Sequence, residues 1–120
     1  MKISNEEQEY VAYIVELMQS IGPVISKRMF GGSGLFLDGL MFALIADGLL
    51  YLKADKESES EFIEIELEKF CYLKKGKECF LSYYLAPEDA LESADEMNLW
   101  ANKAYSAALR AASKKRKKQA

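Results

Sequence analysis

The chain predicts an α+β domain of two layers, a five-stranded antiparallel sheet with helices against it, in the order α-β-β-β-α-β-β-α. Three observations predict it. Asp38-Gly39 and Asp47-Gly48 are turn pairs separating short apolar runs, and Asp-Gly favours two-residue hairpins that need positive φ. Lys75-Gly76 marks a second hairpin in the same way. Apolar residues recur at helical spacing at both ends of the chain.

The first helix runs from about Ser4 to Ser20. Ser4 and Glu7 have capping-box spacing, and Tyr10, Ile14, Leu17, Met18 and Ile21 make one apolar stripe. Gly22-Pro23 stops it. Three strands follow, at about Ser26 to Leu37, Leu40 to Ala46 and Leu49 to Lys53. Asp55 to Glu66 reads as a short helix, with Ser58 and Glu61 again at capping-box spacing. Ile63 to Leu67 also alternates like a strand, and periodicity alone leaves both readings open. Phe70 to Lys74 then pairs with Lys77 to Tyr84. Pro87 opens a helical turn, and Ser93 with Glu96 caps a long Ala-rich helix through about Ala112. Its buried stripe is read as Met97, Trp100, Ala104, Ala108 and Ala111.

A chain of 120 residues suits one domain that removes roughly two thirds of its unfolded surface from water. No apolar run reaches the roughly 18 residues of a membrane span, and the acidic start is unlike an export signal. The expectation is a cytoplasmic protein. The formal charge of −3 is unevenly spread: without the block Lys114, Lys115, Arg116, Lys117 and Lys118, 11 basic residues face 19 acidic ones. There is no histidine, which excludes Ser-His-Asp and Cys-His catalysis, imidazole acid–base chemistry and His-containing metal sites. Two cysteines cannot build a zinc site alone. These exclusions favour a non-enzymatic protein without a cofactor.

Several clusters remain as candidate sites. Gly31, Gly32 and Gly34 suggest a phosphate cradle, but such loops need a helix directly after them, and a strand follows here. The alternative is a bulge or kink in a long first strand. Lys27 and Arg28 just before the glycines are candidates for holding a small anion or nucleotide phosphate against backbone amides, or for a partner contact. The run Leu40 to Ala46 is apolar on both faces, so one face needs cover from further chain or a second molecule. Met41, Phe42 and Ile45 are the candidate interface residues. Cys71 and Cys79 point to opposite faces if the hairpin loop has two residues, and sit opposite each other if it has three. Tyr51, Tyr72, Tyr83 and Tyr84 enrich the sheet in aromatics, which can stack single-stranded nucleic acid; flanking basic residues look sparse, and ordinary packing is the plainer reading. The block Lys114 to Lys118 is a candidate for weak, salt-sensitive nucleic-acid contact, or simply a solvated helix end.

Arg28-Met29-Phe30-Gly31-Gly32, Gly34-Leu35-Phe36 and Asp38 through Ala46, followed by Leu50-Tyr51-Leu52-Lys53, Lys75-Gly76-Lys77 and Ser82-Tyr83-Tyr84, together resemble the TfoX N-terminal domain family. The resemblance implies a two-layer fold like that of type III secretion chaperones, and a role in regulating genes for competence, the uptake of DNA. It brings no catalytic residues. It divides the chain into a TfoX-like domain over 1–112 and a basic tail over 113–120, a stand-alone module lacking the C-terminal domain of the family's founding members. The expected partner is another protein, either a transcription regulator or a second copy of the chain, with no membrane involved.

Overall fold

The structure, a computed structural model, describes residues 5–29 and 31–119. In chain order the elements are α1 (Asn5–Leu17), a 3-10 turn (Gln19–Ile21), β1 (Ile25–Met29), β2 (Gly32–Leu37), β3 (Leu40–Ala46), β4 (Leu49–Lys53), α2 (Glu59–Glu64), β5 (Lys69–Lys74), β6 (Lys77–Leu85), α3 (Glu88–Glu92) and α4 (Ala94–Gln119). The strands form one antiparallel sheet in the order β1-β2-β3-β4-β6-β5. The α+β class and the open antiparallel sheet match the prediction. The sheet has six strands rather than five, however, and the element order changes with it.

The difference lies in the glycine cluster. The strand expected over Ser26 to Leu37 is folded back on itself, with Ile25 opposite Phe36 and Met29 opposite Gly32. Gly31 adopts a φ of +72°, left-handed backbone that glycine takes without a Cβ clash. The glycines therefore make a hairpin rather than a bulge. Gly32 is needed for a second reason, because a Cβ there would lie 2.0 Å from the Ile45 carbonyl oxygen. A bulge does occur, but on β3: Leu35 faces Ala43 while Phe36 faces Met41, so Phe42 is the extra residue.

The three hairpin turns read from sequence are present, with positive φ at Asp38-Gly39, Asp47-Gly48 and Lys75-Gly76. The ambiguous stretch after Asp55 is a short helix over Glu59–Glu64. Ser58 does not cap it; its hydroxyl accepts from the Asp55 amide and donates to the Asp55 carboxylate. Ser93 does act as expected, accepting from the Glu96 amide at 3.4 Å. The Ser4 cap expected for α1 lies outside the described residues.

The main hydrophobic core cluster lies on one side of the sheet. Alternation along β2, β3 and β4 sends Leu35, Leu37, Ala43, Ile45, Leu50 and Leu52 toward the helices, where Ile14 and Met18 of α1 and Met97, Ala101, Ala104 and Ala108 of α4 meet them. The bulge turns Phe42 to the same side, edge-on to Tyr105 at 6.0 Å. On α4 the buried stripe includes Ala101 and Ala107, whereas Ala111 is exposed. The helix α2 also lies on this side, its Phe62 stacked on Tyr84 at 5.3 Å and tilted against Trp100 at 5.2 Å. Burying a ring such as Phe42 or Phe62 contributes about 2–3 kcal/mol each.

Candidate functional site

With α1, α2 and α4 on one side, no described helix lies over the other face of the sheet. Strand alternation and the register place Lys27 and Met29, Gly34 and Phe36, Met41 and Leu44, Tyr51 and Lys53 there, with Phe70, Tyr72 and Lys74 of β5 and Lys77 and Tyr83 of β6. Long side chains do the covering that helices do opposite. A Cβ on Gly34 would lie 2.9 Å from Met29 Sδ and 3.2 Å from Met41 Sδ, so both thioethers lean over the glycine. Leu44, the cross-strand partner of Gly34, is fully buried on this face.

The face is rich in rings. Tyr51 and Phe70 meet edge-to-face at 5.0 Å, and Phe70 and Tyr72 stack at 6.3 Å. The Lys27 ammonium sits 5.1 Å from the centre of the Phe36 ring, and that of Lys53 sits 5.1 Å from Tyr83. Tyr83 is buried, which pushes its phenol up to about 12. Partial burial lowers Lys53, with Asp55 opposing the shift. Tyr51 is raised by burial and then by the nearby carboxylates Glu68 and Asp47.

The sequence candidates are dispersed. Lys27 is on the helix-free face. Arg28, one residue on, is on the opposite face, where it lines a groove of about 400 Å³ between α1 and β1 with Gln8, Val11, Ala12, Val15, Ser26 and Ser33. The two cations therefore do not converge on one anion. The hollow beside Gly31 and Gly32 has only about 20 Å³, and Glu7 and Asp47 line it. Gly34 lies under the methionines. Of the interface candidates, Met41 is half-buried on the helix-free face, whereas Phe42 and Ile45 are buried in the core. Cys71 pairs with Phe80 and Cys79 with Tyr72, so the two thiols lie on opposite faces of a hairpin closed by the two-residue Lys75-Gly76 turn. The basic block continues α4. Its Lys115 lines a hollow with Met41 and Lys53 at the edge of the helix-free face. The side chains of Arg116, Lys117 and Lys118 lie outside the described residues.

One polar cluster went unread in the sequence. Arg110 of α4 donates from Nε and Nη2 to both Asp55 carboxylate oxygens at 2.5 and 2.9 Å, and its Nε also pairs with Glu57 at 2.8 Å. The Asp55 carboxylate also accepts from the amides of Glu57 and Ser58. With the Arg110 guanidinium as the main cause, its pKa is lowered to about 2. The cluster ties the β4–α2 loop to α4, and 55 residues of separation hid it. Among the described residues no group of three or more His, Cys, Asp or Glu side chains could hold a metal ion. No described helix is long and apolar enough to cross a membrane.

The family model of the TfoX N-terminal domain matches residues 16–108, which takes in all six strands and the glycine hairpin. The chain belongs to the TfoX N-terminal domain family. Two curated relatives agree. DNA transformation protein TfoX1 of Aliivibrio fischeri is 31% identical over 84 residues, covering 70% of this chain and 38% of the relative. Protein Sxy of Escherichia coli is 30% identical over 83 residues, covering 69% of this chain and 36% of that protein. The match thus spans little more than a third of each TfoX relative's length. The strands of the helix-free face fall within the matched TfoX region, whereas the α1 side of the Arg28 groove (Gln8, Val11, Ala12 and Val15) precedes it.

Proposed function

We propose that this TfoX-type domain is a non-enzymatic regulatory module of the cytoplasm that works by binding a macromolecular partner across its helix-free sheet face, in the control of DNA uptake. The observation that carries the reading is that face itself. It has rings and methionines at positions where an antiparallel sheet open to water ordinarily places polar residues. Contiguous apolar surface of this kind marks interaction sites. The regulatory part of the reading is supported by the name of the Aliivibrio relative, a DNA transformation protein, and by the family resemblance. A protein partner would engage this face through Phe36, Met41 and Tyr51 rather than through the buried Phe42 and Ile45.

The test is a reporter of DNA-uptake gene expression in a host that depends on this chain. Tyr51→Ser combined with Phe36→Ser should abolish the response while circular dichroism remains that of the parent. An unchanged response from a folded double variant would exclude the face as the working surface.

A further inference from the structure

We infer that the helix-free sheet face binds single-stranded nucleic acid, with bases stacking on Phe36, Tyr51, Phe70 and Tyr72 and phosphates held by Lys27, Lys53, Lys74 and Lys77. The inference deepens the preceding reading and rests on its assignment of this face as the working surface.

Charge is the first argument. The chain has 19 acidic and 16 basic residues, yet the strand positions that alternation sends to this face include those four lysines and no Asp or Glu. Glu78, the one carboxylate within β6, falls on the helix side with its partner Leu73. The lysines come from four strands, so they look scattered in sequence and gather only through the register. Beyond the Lys53 edge the strip continues to Lys115 and the start of the basic block. Off the strands, the carboxylates Glu68 and Asp47 are near enough to Tyr51 to raise its phenol.

Ring geometry is the second. Phe36, Tyr51 and Phe70 are half-buried and Tyr72 is 39% exposed, so each ring is anchored in the sheet while part of it meets solvent. Phe70 and Tyr72 lie within 22° of parallel. Unpaired bases stack on such rings regardless of sequence, while lysines along the groove follow the backbone. A duplex hides its base faces and would engage the lysines alone. The same charge distribution disfavours other occupants. Two copies meeting through this face would bring eight lysines together without a carboxylate along the strands, and lysine is depleted at the centres of protein interfaces.

The experiment is fluorescence anisotropy of the full chain with a labelled 20-mer of thymidylate, the matching RNA and a duplex, over a series of salt concentrations. Single strands should bind in the micromolar range, at least tenfold tighter than the duplex. The slope of log affinity against log salt should be near −3, roughly −0.7 for each of four phosphate contacts. Tyr72→Ser, at an exposed ring, should weaken binding about tenfold, within the range for loss of one stacked base. Lys74→Gln with Lys77→Gln should flatten the salt slope by about half. Binding that ignores these substitutions, treats duplex and single strand alike and vanishes when Lys114 to Lys118 are neutralised would overturn the inference in favour of the tail. So would a dimer whose dissociation is raised by Tyr72→Ser. If no oligonucleotide binds but the Phe36→Ser, Tyr51→Ser variant still loses the reporter response, the face remains the working surface and only its ligand has been misassigned.

Discussion

Gly32 and Gly34 are two residues apart on β2, yet they answer to different constraints. A Cβ on Gly32 meets the backbone oxygen of Ile45 at 2.0 Å, and the β3 backbone cannot move without breaking its ladder. Gly32→Ala should therefore cost about 2–3 kcal/mol in urea unfolding, at the upper end for overpacking. A Cβ on Gly34 meets the ends of two methionine side chains, which can rotate away, and the edge of the half-buried Phe36 ring at 3.1 Å, with no backbone atom in its way. Gly34→Ala should cost under about 1 kcal/mol, so the ranking of the two variants tests the register. Asp55 belongs to the same scale. Its pKa falls from 3.8 to about 2 on folding, so the stability it contributes is present above pH 3.8 and is lost as pH falls toward 2. The pair is partly solvated, which reduces that contribution to about 1 kcal/mol. Arg110→Ala should remove most of it at pH 7 and change little at pH 2, as read from melts at both values.

At the scale of elements, the β5–β6 hairpin decides the chemistry of the cysteines. The Lys75-Gly76 turn has two residues, so Cys71 and Cys79 lie on opposite faces and cannot meet without a change of register. Mild oxidation should leave no intramolecular disulfide, and intact mass under non-reducing conditions reads this directly. The long Ala-rich α4 lies close to β3 and β4 because Ala101, Ala104 and Ala108 bring little bulk to the contact. Ala104→Leu should destabilise by about 1–3 kcal/mol through overpacking. The turns and the helix stripes were legible because each depends on two to four neighbouring residues. The β1–β2 hairpin was not. The chain between Met29 and Gly32 lacks the Asp-Gly signature, and three glycines in four positions fit a kink as well as a reversal.

Across the whole molecule, charge and apolar surface are sorted by face. The helix side holds the apolar core, the Asp55–Arg110 cluster and Arg28, while the helix-free side holds rings, methionines and lysines. At neutral pH the chain should remain monomeric at micromolar concentration by light scattering, because lysine repulsion opposes pairing through that side. Candidate residues chosen from sequence fell on both sides. Lys27 and Arg28 are chain neighbours, and strand alternation separates them by the thickness of the sheet. A run apolar on both faces offers Phe42 and Ile45 as interface residues, but the bulge and the register direct them to the core.

The amino-acid sequence determined the α+β class, most element boundaries, the Asp-Gly and Lys-Gly turns and the family, because caps, turns and motifs are encoded by residues close together in the chain. Tertiary structure alone decided the sixth strand, the side of the sheet that each residue of the central strands faces, the Asp55–Arg110 tie and the gathering of four lysines beside partly exposed rings. Those depend on register and helix placement, which are set by contacts between residues far apart in the chain.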